Sequence, residues 1–92
     1  MPKYELLIPN RDFELDSISE VEEPLDQALI DVEAGEITGG AIGQGWYRID
    51  IELGDPERGL EIVRRVAGAL NLPLSTLVRE VGTERGVLVR AE

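Results

Sequence analysis

Chemistry in this chain would have to come from its carboxylates, from Tyr4 and Tyr47, from its serines or from its single lysine, Lys3. There is no histidine, the commonest general base and metal ligand. There is no cysteine, which removes thiol catalysis, disulfides and thiolate metal sites. Paired acids are the core of glycoside hydrolysis, but 92 residues leave little room for the substrate cleft those enzymes use. The Asp-x-Asp-x-Asp-Gly spacing of a calcium loop, with its closing Glu, is absent. Asp50 and Glu52 share a strand face and could hold a cation with Glu5; the competing reading pairs them with Lys3 and Arg48 across a sheet. The run GGAIGQG at 39–45 invites a phosphate-loop reading. Such a loop leads into a helix whose first amides bind the anion, whereas the pattern that follows here is a strand. The expectation is a non-enzymatic protein with no cofactor and no metal.

Charge says more than catalytic residue types do. The net charge is -10, and ten of the nineteen acids fall within residues 12–36, a stretch with no Lys or Arg. The other nine acids are matched by the nine basic residues, so the whole net charge resides in one stretch. Such a field disfavours nucleic acid and anionic membrane and favours a basic protein partner or a cation. The plainer reading of the same acids is a solubilising surface.

The elements that would carry these residues follow from periodicity. Residues 4–8 alternate, with Tyr4, Leu6 and Ile8 on one face and Glu5 and Leu7 on the other. Residues 11–16 form a connection in which Phe13 and Leu15 fold back on the core. A helix is predicted over 19–34, with Ser19 and Glu22 as a capping box, Pro24 in its early turns and Gly35 as the left-handed residue past its end. Its buried stripe is Ile18, Val21, Leu25, Ala28, Leu29 and Val32. Glu23, Asp26 and Glu33 lie opposite, with Glu20 and Asp31 flanking and Ile30 among them. These outward residues should matter little to folding.

A hairpin follows over 36–53. Its second strand alternates strictly, with Tyr47, Ile49, Ile51 and Leu53 inward and Trp46, Arg48, Asp50 and Glu52 outward. Asp55, Pro56 and Glu57 then read as N-cap, N1 and first-turn acid of a second helix, whose stripe is Leu60, Val63, Val66, Ala67 and Leu70. Residues 76–81 and 86–91 read as a terminal hairpin. The order β-α-β-β-α-β-β matches the ferredoxin-like, split βαβ arrangement with an extra C-terminal strand. That places two helices on one face of an antiparallel sheet and leaves the other face open, in a single domain over 1–92.

The segment GEITGGAIGQGWYRIDIELGDPERGLEIVRRVAGAL, residues 35–70, resembles small acidic bacterial proteins of ferredoxin-like fold. These carry a glycine-rich hairpin, an alternating strand, then Asp-Pro and an amphipathic helix. Some are similar to immunity proteins, which bind and neutralise toxins, so the resemblance implies a toxin-inhibitor role without any catalytic residue. The same topology occurs in homodimeric amino-acid-binding regulatory domains, an alternative that would put a small ligand beside residues 39–45.

The partner-binding candidates are therefore Glu20, Glu23, Asp26, Ile30 and Glu33 on the acidic helix, and Trp46 with Arg48 on the open sheet face, an aromatic–arginine pair of the kind binding hot spots favour. Trp46 could instead only cap the hairpin end over Leu7. The chain is expected to be cytoplasmic, because it has neither a signal-peptide pattern at its start nor an apolar run long enough to span a membrane; both a monomer and a homodimer fit the sequence.

Overall fold

The computed structural model describes residues 2–9, 19–43, 45–82 and 86–88. Phe13, Leu15 and Ile18, the first acids of the acidic stretch, and the turn and end of the terminal hairpin lie outside them. The chain is α+β. Its elements run β1 (Lys3–Pro9), α1 (Ser19–Asp31), β2 (Gly35–Gly43), β3 (Trp46–Leu53), α2 (Pro56–Ala69), β4 (Leu77–Glu80) and β5 (Gly86–Leu88). The strands form one antiparallel sheet in the order β2-β3-β1-β4-β5.

The alternation in β1 and β3 sets the faces of the sheet. Leu6 lies opposite Ile49 and Tyr4 opposite Ile51, so the two inward rows meet as cross-strand pairs. Tyr4, Leu6, Ile8, Ile49, Ile51 and Leu53 are buried in one cluster with Val21, Leu25 and Leu29 of α1 and Ile62, Val63 and Ala67 of α2. Tyr47 packs against this cluster only partly. The opposite row carries ion pairs: Lys3 to Glu52 at 3.9 Å, Arg48 to Asp50 at 3.1 Å and Arg79 to Glu5 at 2.9 Å.

The helix ends differ in part from expectation. At the start of α2, Asp55 caps as the sequence predicts, its Oδ1 accepting from the Arg58 amide at 3.2 Å, with Pro56 next in line. At the end of α1 the left-handed residue is Glu33 (φ 55°), not Gly35. The Ala34 amide donates to the Leu29 carbonyl and the Glu33 amide to the Ile30 carbonyl, each at 3.0 Å, which is the Schellman pattern. Asn71 (φ 55°) closes α2 in the same way. Gly35 is instead the first residue of β2, where a Cβ would run into the Glu52 carbonyl and the Leu53 backbone. The glycine serves close approach of two strands, and a glutamate is left to adopt the turn.

A second close approach rolls α2 relative to the predicted stripe. Gly59 and Ile62 are buried with Val63 and Ala67, while Leu60, Val66 and Leu70 are only partly covered. A Cβ at Gly59 would stand 2.5 Å from Cδ2 of Leu53. Ala is ordinarily favoured over Gly in a helix by roughly 0.5–1 kcal/mol. Here overlap with a fully buried leucine should reverse the sign, and Gly59→Ala is expected to destabilise by about 1–2 kcal/mol in urea unfolding. A more stable variant would show that Leu53 moves freely aside.

Candidate functional site

Trp46 and Arg48 stand on the sheet face away from the buried cluster, and that face is concave. A depression of about 540 Å³ is lined by Glu5 and Leu7 of β1, Ala41 and Gly43 of β2, Trp46 and Arg48 of β3, and Leu77 and Arg79 of β4. Its shape follows from residue size. On β2 the open face presents Ala41 opposite Arg48 and Gly43 opposite Trp46, so the larger side chains of β3 look across a low edge. Trp46 remains 39% exposed and lines the depression together with Leu7. Arg48 is held by Asp50, and Arg79 by Glu5. The three carboxylates considered for a cation, Glu5, Asp50 and Glu52, each face a basic side chain. Among the described residues no group of three or more potential ligands gathers to hold a metal. The Tyr4 phenol is pushed above its ordinary value of 10.0 by burial and, second, by the Glu80 carboxylate, which keeps its proton on.

Arg79 and Leu77 were not singled out from the sequence. Arg79 reaches Glu5 across 74 positions of chain. The only local signal was the β-branched run after Leu74, which marks a strand without saying where it pairs.

The acidic helix separates into two groups. Glu20 and Glu23 are exposed on the side of α1 away from the core. Ile30, 51% exposed, lies beside Glu33, Glu36 and Gly54 in a smaller depression of about 360 Å³. Asp26 belongs elsewhere. It is half-buried, and its Oδ1 accepts from the Ile37 amide of β2 at 3.0 Å. The expectation that every outward acid is irrelevant to folding therefore needs correction at this residue. Its carboxylate supports β2 beside the register shift between Ile37 and Gly39. Asp26→Ala should cost about 1–2 kcal/mol in denaturant melts, as expected for a partly buried bond to a charged acceptor. Asp26→Asn keeps an acceptor and should recover most of it. Equal stability of all three proteins would remove Asp26 from the fold's support.

The residues called from the sequence thus occupy two surfaces: Trp46 and Arg48 on the open sheet face, Glu20, Glu23, Ile30 and Glu33 on the exposed side and C-terminal end of α1. Strand β2, at one end of the strand order, is tied to α1 through the Asp26 carboxylate. Among the described residues no helix is long and apolar enough to cross a membrane. Comparison with protein-family models, with curated proteins and with solved structures found no match.

Proposed function

We propose that this protein is a non-enzymatic module that binds a basic protein partner, of the immunity type that inhibits a toxin such as a nuclease. The observation that carries the reading is the concentration of all net charge in residues 12–36, with Glu20 and Glu23 exposed on α1 and a large apolar residue, Ile30, left exposed beside Glu33 and Glu36 at the other end of the helix. An acidic surface of this kind speeds encounter with a basic partner and excludes acidic ones, and an exposed isoleucine supplies apolar contact once docked. In the same proposal the fold is ferredoxin-like, with both helices on one face. The strand order β2-β3-β1-β4 and the shared cluster of helix and strand residues support it. The rival small-ligand reading draws little support from residues 39–43, which form a paired strand rather than a loop before a helix.

The test is affinity capture from the source cell with two baits, the natural chain and a Glu20→Lys/Glu23→Lys variant. A basic protein retained by the first, released by salt and lost from the second supports the reading. Identical captured sets sink it.

A further inference from the structure

The geometry points to the outer edge of β2 as a docking strand, completed antiparallel by an extended segment of the partner that alternates basic and apolar residues. The inference rests on the proposed binding of a basic partner and says how that partner engages.

β2 ends the strand order, so among the described residues its only strand neighbour is β3. An unpaired edge is a template for another strand, and proteins commonly guard it with charges, proline or short length. This edge is nine residues long. Its guards gather at its start: the exposed charge of Glu36, the Ile37 amide directed away from β3 to the Asp26 carboxylate, and the register shift between Ile37 and Gly39, which leaves 40–43 without one. In an antiparallel pair the outward-facing residues alternate. Counted along β3 from Ile51, the partner of Ile37, the next outward positions are Gly40 opposite Ile49 and Ile42 opposite Tyr47. The residues on and between them are glycine, alanine and an isoleucine 65% exposed, so no charged side chain of β2 stands there.

The surroundings choose the occupant. On the helix side, Glu22 places Oε2 3.4 Å from where a Cβ of Gly40 would be, and Glu23 lies exposed on the same helix. Side chains of an added strand that point this way meet carboxylates, and basic ones fit. Side chains that point the other way pass over Ala41 and Gly43 toward the depression flanked by Trp46 and Leu7, and apolar ones fit. A second copy of this chain fits poorly. Antiparallel β2–β2 pairing would bring two α1 helices to the same side of the joint sheet, acid against acid. The acidic helix thus repels self-association at an edge that it leaves available to a basic strand.

Peptides of about seven residues, longer than the part of the edge beyond the register shift, make the test. One alternates Lys and Val; a second holds the same residues as a Lys block and a Val block. The alternating peptide should bind, shift the fluorescence of Trp46 and slow hydrogen exchange at the Gly40 and Ile42 amides. In antiparallel pairing the residues opposite Gly40 and Ile42 share their face, so the Lys amides are the ones bonded to β2. N-methylation at Lys should therefore weaken binding roughly tenfold or more, while N-methylation at Val leaves it unchanged. Ile42→Pro, which removes only an outward amide, should weaken it similarly relative to Ile42→Ala. Block and alternating peptides binding alike, indifference to which amide is methylated, or no peptide binding at all overturns strand addition. Each of these outcomes leaves salt-sensitive capture of a basic protein through Glu20 and Glu23 standing or falling by itself. A dimer in sedimentation that Ile42→Pro dissolves also overturns the choice of occupant.

Discussion

Ile51→Ala is expected to destabilise the fold by about 2–5 kcal/mol, the range for deleting most of a buried isoleucine and leaving a cavity. Ile51 is 1% exposed. It is bracketed in the sheet by Tyr4 on β1 and Ile37 on β2. With neighbours fixed on both sides by ladder hydrogen bonds, the site cannot collapse to fill the space, which favours the upper part of the range. Ile51→Val should cost roughly 0.5–1.5 kcal/mol. Glu52→Ala, one position along and on the other face, removes only a long contact to an exposed Lys3 and should change stability by less than about 0.5 kcal/mol. Urea unfolding of the three variants gives the comparison. A cost below about 0.5 kcal/mol for Ile51→Ala, or a larger one for Glu52→Ala, would mean that the sheet presents its other face to the core.

The second large effect is kinetic. In the proposed complex with a basic partner, Glu20→Lys with Glu23→Lys should slow association roughly tenfold or more at low ionic strength and flatten its salt dependence, because exposed charges steer encounter and are screened. Asp26 is left unchanged in this variant, since its carboxylate holds the Ile37 amide and reversing it would disturb β2. Ile30→Ala should act instead on dissociation, costing about 1–3 kcal/mol if the side chain fills a desolvated pocket. Neither change touches a residue of the buried cluster, so melting should move little. Trp46→Ala and Arg48→Ala are the comparison. If these abolish binding while the α1 variants bind with normal rates, the sheet face alone is the interface and the acids of α1 serve solubility.

What could be read from residue order was whatever repeats locally. A period of two in residues 46–53 assigns Ile49, Ile51 and Leu53 to the core and Arg48, Asp50 and Glu52 to the other side, because successive side chains on a strand must point opposite ways. Asp55 followed by Pro56 marks a helix start, because both act on backbone groups within one turn. The concentration of acids before residue 37 needs no fold to be seen. Long-range approach decided the rest. Gly35 looks like a helix stop, but the space beside Glu52 and Leu53 claims it and Glu33 takes the left-handed turn. Gly59 looks like a weak point in a helix, and contact with Leu53 makes it the point about which α2 seats. Asp26 looks like one more solvated acid until β2 arrives with the Ile37 amide. Arg79 and Leu77 join Trp46 only when β4 pairs with β1. Periodicity determines which way a side chain faces, since that is set by the residue's own backbone. What the side chain meets is set by elements brought from elsewhere in the chain, and only tertiary packing decides that.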